Sequence, residues 1–285
     1  MAGASMKSIK LRIHSMQNTR QITKAMEMVA ASKMNKAQEK ALRTRPYYTT
    51  LHQTLSRIAA ATRDFSSPYL QKREEKRVCC VTIAGDRGLA GGYNSNVLRL
   101  AASTLTGEEN CVVPIGKKAG EYFRRLGTEI ITEDWLTAED ISVGGCFTLA
   151  RHLAGLYRSG QVDAIELVFT RWNSILSQEP CVLRLLPLPQ PEKPTESGDK
   201  RPAEILYEPD CGTVFNAMIP EYLGGVIYGA LCESLASELS ARRMAMDSAT
   251  QNADEMIDKL NLQYNRARQG SITQELTEIV AGAEE

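Results

Sequence analysis

The chain has 285 residues with 34 basic and 34 acidic side chains, so it is long enough for one or two hydrophobic cores and its net charge indicates no particular partner. No run of about 18 apolar residues occurs, which excludes a membrane-spanning helix, and the start of the chain has no compact apolar block of the secretory type. The seven cysteines are scattered, with no C-x-x-C pair. This pattern argues against a disulfide framework or a zinc site and predicts reduced, structural cysteines.

The charge is divided unevenly along the chain. Residues 1–65 hold 12 basic and 3 acidic side chains, whereas residues 212–285 hold 5 basic and 11 acidic ones. A basic arm is typical of nucleic-acid binding, but here an acidic segment of the same chain pairs with part of that charge. We expect the surplus positive charge to remain available for an acidic surface outside the chain.

The first element is predicted to be one long helix. Residues 4–45 contain neither Gly nor Pro and are rich in Ala, Met, Lys and Gln, which are good helix formers. At 1.5 Å per residue this helix is about 63 Å long, more than the width of a globule formed by the whole chain, so we expect it to protrude. Its apolar residues recur at steps of three and four, which predicts a narrow coiled-coil seam. The predicted seam consists of Ile9, Ile13, Met16, Ile22, Met26, Val29, Ala30, Met34, Ala37 and Ala41.

Between this helix and the end of the chain, strand-like and helix-like segments alternate, which predicts a parallel, helix-covered sheet. The predicted strands are 77–84, 110–115 and 163–170, the predicted helices 94–105, 117–126 and near 146–158, and residues 175–186 are expected to add an antiparallel strand. Residues 187–202 contain five prolines among polar residues and are predicted to form a mobile surface segment.

A second long helix is predicted near the end of the chain, because residues 230–269 again lack Gly and Pro. The apolar residues Ile272, Leu276, Ile279 and Val280 continue the pattern past Gly270, and an exposed apolar tip requires an external socket. The apolar positions at helical spacing are Leu231, Leu235, Leu239, Met246, Ala249, Ala253, Met256, Leu260, Tyr264 and Ala267.

The glycine-rich turn Gly85–Gly92 is the motif closest to a known catalytic or binding pattern, since it follows the first predicted strand of the sheet. Its spacing fits neither a dinucleotide-binding nor a P-loop motif, so we interpret it as a tight strand-to-helix turn. The three histidines have no metal-ligand spacing, and no nucleophile elbow or paired acid and base is found. The sequence therefore predicts no catalytic residue, no metal site and no cofactor.

Four segments of the chain closely resemble the gamma subunit of F-type ATP synthases. The first is NTRQITKAMEMVAASKM at residues 18–34, and the second is DRGLAGGYN at 86–94, where Ala90 replaces the cysteine of the family pattern. The third is LYEPD at 206–210, and the fourth lies in the tail at 240–250 and 271–280. The four segments follow the family order and span nearly the whole chain.

The resemblance implies an α/β fold with a long antiparallel coiled coil. The terminal helices, residues 1–65 and 212–285, would form the coiled coil, and residues 66–211 a central Rossmann-like domain with a Pro-rich loop at 187–203. It further implies a central-stalk rotor that turns inside a hexamer of alpha and beta subunits and stands, with the epsilon subunit, on a membrane ring of c subunits. Such a subunit is not an enzyme by itself; it couples ion flow through the ring to ATP synthesis or hydrolysis at the beta subunits.

The resemblance also implies particular contact residues. On the family pattern, the residues that contact the alpha/beta hexamer would be Lys24, Met26, Arg242, Arg268, Gln269, Thr273 and Glu275. The pair Arg268 and Gln269 would engage a loop of one beta subunit at a time, since a forked guanidinium holds a carboxylate and then releases it. Tyr207 and Glu208 would contact the epsilon subunit and the c ring.

The expected location is the cytoplasmic side of a bacterial inner membrane, with membrane contact only through the c ring. Residues 187–211 contain one cysteine, Cys211, so the thiol switching of chloroplast relatives is not expected, and neither is nucleic-acid binding. Two alternatives remain open: a nucleotide-dependent enzyme using the turn 85–92, and a nucleic-acid-binding coiled coil using the basic arm.

Overall fold

A computed structural model describes residues 2–61, 67–71, 73–105, 107, 109–135, 137–188 and 207–283. Along the chain, a long helix comes first, an α/β segment follows, and a second long helix comes last. Helix α1 spans Ala2–Ala61 and contains Pro46, and helix α5 spans Cys211–Ala283 and contains Pro220. Both helices are longer than the stretches free of Gly and Pro, because packing of the flanking turns outweighs the hydrogen bond that each proline removes.

The α/β segment lies between these helices. Its strands are β1 (Val78–Ile83), β2 (Cys111–Ile115), β3 (Glu129–Ile130), β4 (Ala164–Trp172) and β5 (Gln178–Leu186). Its helices are α2 (Tyr93–Thr104), α3 (Lys117–Leu126), a 3-10 turn (Ala138–Asp140) and α4 (Val143–Arg158).

The five strands form one sheet in the order β3-β2-β1-β4-β5. All neighbouring pairs are parallel except β4 and β5, which are antiparallel. The predicted fold class is confirmed, and the antiparallel strand expected within residues 175–186 is β5, which begins at Gln178. The two-residue strand β3 is not among the predicted elements.

Each face of the sheet is covered by helices, because side chains alternate along the strands. Cys79, Val81 and Ile83 of β1 face the core formed by α4 and α5, and Cys80 faces the core formed by α2 and α3. The largest buried side chains in these two cores include Phe123, Leu149, Leu153, Tyr157, Ile165, Leu167 and Phe215.

The chain groups into two compact units. The first consists of residues 1–32 and 242–285, and the second of residues 33–241. Both α1 and α5 therefore contribute to each unit. Most of the predicted Pro-rich loop 187–203 lies outside the described residues.

Candidate functional site

In the first unit the two terminal segments run antiparallel, as two side-chain contacts show. The hydroxyl groups of Thr23 and Thr250 form a buried hydrogen bond of 2.7 Å, and Arg20 forms an ion pair with Asp254. As the residue number on α1 falls from 23 to 20, the number of its partner on α5 rises from 250 to 254. This arrangement is the predicted antiparallel pairing of the chain ends.

The predicted seam of α1 is wrong at two positions in the first unit. Ile22 and Val29 are 61% and 58% exposed, whereas Thr23, which is not in the prediction, and the predicted Ala30 are buried. On α5, Met256 of the predicted apolar pattern is 43% exposed. The hydrogen bond between Thr23 and Thr250 orients α1 so that Ile22 points outward. The helix face bearing Ile22 and Val29 is therefore available to another molecule.

The first unit carries most of the large apolar side chains that the described part of the chain exposes. Such an apolar surface is typical of a protein interaction site. The exposed apolar side chains of this unit are Leu11, Ile22, Met28, Val29, Met244, Met256, Leu262, Ile272, Leu276, Ile279 and Val280. The predicted apolar tip, residues 272 to 280, is part of this surface.

The residues predicted to contact the alpha/beta hexamer all lie in this same unit. Met26 and Arg242 are half-buried, and the remaining five are exposed: Lys24, Arg268, Gln269, Thr273 and Glu275. Lys24 donates to Glu27 over 2.8 Å, and this hydrogen bond raises the pKa of the lysine. Glu275 accepts a hydrogen bond from the Ser271 hydroxyl.

The two residues predicted to contact the epsilon subunit and the c ring lie in the second unit. Tyr207 is half-buried and packs against the main hydrophobic core, whereas Glu208 is exposed. Tyr207 thus has a packing role within its own unit, and Glu208 is the more accessible of the two.

The glycine-rich turn is closed by side chains rather than opened toward a phosphate. Asn94 accepts the Gly85 N–H over 2.8 Å and donates to the Arg87 carbonyl over 3.1 Å. Leu89 and Gly91 have φ values of 61° and 55°, in the left-handed region that a tight turn requires. The interpretation of this segment as a structural turn is consistent with these contacts.

The Asp86 carboxylate of this turn accepts hydrogen bonds from three backbone N–H groups, which the sequence does not indicate. Its Oδ1 accepts the backbone N–H groups of Lys117 and Ala138, over 3.1 and 3.0 Å, and its Oδ2 accepts that of Glu139 over 3.1 Å. These donors begin α3 and the 3-10 turn, where N–H groups have no partner within the helix. Asp86 therefore connects three separate segments of the chain.

The structure also bears on metal and thiol chemistry. Among the described residues, no group of His, Cys, Asp and Glu side chains is arranged to hold a metal ion. All seven cysteines are free thiols, and burial raises the pKa of Cys80 to about 11 and that of Cys146 to about 12.

None of the helices in the described ranges has the length and hydrophobicity of a membrane span.

Comparison with known proteins identifies the family. The family described as ATP synthase matches residues 5–285. The chain is 45% identical over 283 residues to the ATP synthase gamma chain of Heliobacterium modesticaldum, with 98% of each chain covered. It is also 45% identical over 281 residues to that of Ruminococcus albus, covering 97% of this chain and 96% of the relative. The chain belongs to the ATP synthase gamma-chain family.

Solved structures share the fold of this gamma-chain family member. A chain in a structure of the Euglena gracilis mitochondrial ATP synthase that contains OSCP, F1 and the c-ring matches with a TM-score of 0.69 at 20% identity, over 99% of this chain and 94% of that one. A chain of the Tetrahymena thermophila central stalk and c-ring matches with a TM-score of 0.61 at 21% identity, over 80% of this chain and 99% of that one. At these identities the matches show the fold alone.

Proposed function

We propose that this gamma chain is the rotating central stalk of an F-type ATP synthase. Residues 1–65 and 212–285 form its shaft, and residues 66–211 form the domain that the ring turns. The shaft turns inside a hexamer of alpha and beta subunits, while the central domain, with the epsilon subunit, stands on the c ring. The exposed apolar surface of the first unit carries this proposal, together with membership of the gamma-chain family.

The chemistry of the first unit suits a bearing rather than a permanent interface. An apolar surface with scattered single charges loses little energy when it slides past an apolar collar, because it forms few directional bonds. Arg268 and Gln269 are exposed on α5 near this surface. A guanidinium there binds a beta-subunit carboxylate with two hydrogen bonds and exchanges it for the next one as the shaft turns.

The chain would make and break no bond itself. An asymmetric shaft presents a different face to each beta subunit, so the three nucleotide sites have different affinities at any instant. Rotation exchanges those affinities, which links ion flow through the ring to ATP synthesis or hydrolysis. In this proposal the complex lies on the cytoplasmic side of a bacterial inner membrane, and the chain meets the membrane only through the c ring.

Purification of the tagged full chain together with its partner subunits tests the proposal. We expect one copy of the chain to be recovered with three alpha and three beta subunits. Recovery of the chain alone, or with nucleic acid in a salt-sensitive complex, would contradict the proposal. Titration with ATP provides a further test, since micromolar binding that Gly88→Val abolishes would favour a nucleotide-dependent enzyme instead.

A matched pair of variants tests the contact role of Arg268. Arg268→Ala removes the guanidinium of the proposed contact, and Arg266→Ala removes another exposed guanidinium of the same helix. We expect ATP hydrolysis by the assembled complex to fall several-fold in Arg268→Ala and to stay near wild type in Arg266→Ala. Equal rates in the two variants would remove Arg268 from the proposed contact set.

A further inference from the structure

The second unit contains a crevice of the kind in which α/β proteins bind nucleotides, and the chain fills it with its own helix. In such sheets the ligand binds beyond the carboxyl ends of two strands whose connections leave in opposite directions. Here those strands are the neighbours β1 and β4. The connection from β1 leads through α2 to β2, toward one edge of the sheet, and the connection from β4 leads to β5, toward the other edge.

The crevice opens because β1 ends before β4. The last paired residues are Thr82 and Val168. Beyond them the chain turns toward β2, where the Ala84 N–H donates to the Ile115 carbonyl over 2.9 Å and the Gly85 carbonyl accepts from the Lys118 N–H over 3.1 Å. The end of β4 is left without a strand on that side.

Helix α5 supplies the missing hydrogen bonds. The Thr170 N–H donates to the Ser234 hydroxyl and the Thr170 carbonyl accepts from the Ser237 hydroxyl, each over 3.2 Å. Both backbone groups of Thr170 point away from its β5 partner Pro180, because in an antiparallel pair the N–H and C=O of one residue lie on the same side of the strand. Two serines one helical turn apart therefore take the place of a neighbouring strand.

The same face of α5 brings a carboxylate to the end of β1. Glu238 is 6% exposed, and its Oε1 lies 2.7 Å from the position that a Cβ on Gly85 would occupy. A side chain at position 85 would therefore displace Glu238. The remaining cavity beside Gly92, Thr170 and Ala241 measures about 120 Å³, which is too small for a nucleotide.

This contact lies where α5 leaves the second unit. From residue 229 to residue 240 every residue of α5 except Leu235 is buried, and residue 241 is the last that belongs to the unit. On another face of the helix, Ala236 and Leu239 pack against Met34 and Ala37 of α1. The helix then continues unbroken into the first unit.

We propose that Ser234, Ser237 and Glu238 form the joint through which torque on the α/β domain reaches the shaft. We call these three residues the crevice joint; the inference rests on the rotor function proposed above. The two serines hold α5 by directional hydrogen bonds to β4, which resist rotation of the helix about its axis better than apolar contacts alone, and the Glu238 carboxylate occupies the space beside Gly85. The position that a ligand occupies in other sheets of this kind is thus used for mechanical coupling.

The test uses the complete ATP synthase in vesicles and measures the ions transported per ATP hydrolysed. The double variant Ser234→Ala, Ser237→Ala removes both hydroxyls, and Ser103→Ala, at an exposed serine of α2, is the matched control. We expect the transport ratio to fall roughly threefold in the double variant and to stay at the wild-type value in the control. If the double variant does not assemble, the two single variants are measured, and each is expected to lower the ratio by a smaller factor.

Hydrogen exchange of the Thr170 amide gives a readout on the joint itself. Because Ser234→Ala leaves this buried N–H without its acceptor, we expect its exchange in the full chain to quicken about tenfold. Two results would overturn the inference. One is that the assembled variants transport as many ions per ATP as the wild type and exchange the Thr170 amide at the wild-type rate. The other is that fewer complexes assemble but those that do have the wild-type transport ratio. If the wild-type chain does not join the hexamer at all, it is the proposed rotor function that fails.

Discussion

Asp86 offers a direct test of whether the glycine-rich turn is structural. Truncation by Asp86→Ala removes the acceptor of three backbone N–H groups, at Lys117, Ala138 and Glu139. The first and last of these donors lie at exposed residues, where water replaces the carboxylate, and Ala138 is half-buried. Loss of a capping carboxylate costs about 1 kcal/mol per helix start, and the half-buried donor adds about as much again.

We therefore expect Asp86→Ala to lower the free energy of unfolding by about 2–3 kcal/mol, which corresponds to a melting temperature about 6–9 °C lower for a domain of this size. Asp86→Asn keeps one acceptor oxygen and should lose about half as much. Arg87→Ala is the matched control, since this neighbouring side chain is exposed and its loss should change stability by less than about 0.5 kcal/mol.

Calorimetry and urea denaturation of the full chain measure these differences. A melting temperature for Asp86→Ala within a degree of the wild type would refute the reasoning. A stable variant that lost only ATP hydrolysis in the assembled complex would instead assign Asp86 to a functional contact.

Three further predictions concern single positions. Gly116→Ala should destabilise the chain by about 3 kcal/mol or more in the same denaturation assay. At this position φ is +92°, and a Cβ would lie 2.1 Å from the Ala84 carbonyl oxygen. A loss of stability below about 1 kcal/mol would be inconsistent with this geometry. Hydrogen bonds from Thr213 hold the pKa of Asp210 below its ordinary value of 3.8, so they stabilise the start of α5 above that pH and the effect is lost as the pH falls through the lowered value. The protection of the Thr213 amide, measured as its exchange rate relative to an unfolded chain at the same pH, should fall in that acid range, and in Asp210→Asn it should stay constant there. Thiol labelling of the native chain at pH 8 should modify the half-buried Cys181 and Cys211 first, and the five buried cysteines only on unfolding. Rapid labelling of a buried thiol in the native chain would argue against the packing.

Much of the fold follows from local sequence. The long stretches without Gly or Pro predict α1 and α5, and the alternating segments predict four of the five strands. The prediction of α1 stops at Arg45 because a proline follows, but the helix continues to Ala61. Strand β3 has two residues, too few for any periodic pattern.

The seam was harder to predict because apolar character alone does not determine the helix face. Steps of seven from Met16 lead to Thr23 and Ala30, which are the inward positions. The larger apolar neighbours Ile22 and Val29 obscure this heptad in the sequence. A polar residue at a heptad position, such as Thr23, is a signal for the correct register.

The crevice joint and the contacts of Asp86 could not be predicted from the sequence. Ser234 and Ser237 lie 64 and 67 residues from Thr170, and Asp86 bonds to residues 31 to 53 positions away. Serines and a glutamate in a long helix usually face solvent. Only the topology of the sheet brings the two serines to the end of β4 and Glu238 to the end of β1.

Single-molecule rotation tests the central claim most directly. A gold particle is attached to the chain through Ser103→Cys, in a background in which Cys181 and Cys211 are replaced by Ala, and the alpha/beta hexamer is fixed to a surface. On addition of ATP the account predicts continuous rotation of the particle in one direction. A particle that stays at one angle while the same complexes hydrolyse ATP would contradict it.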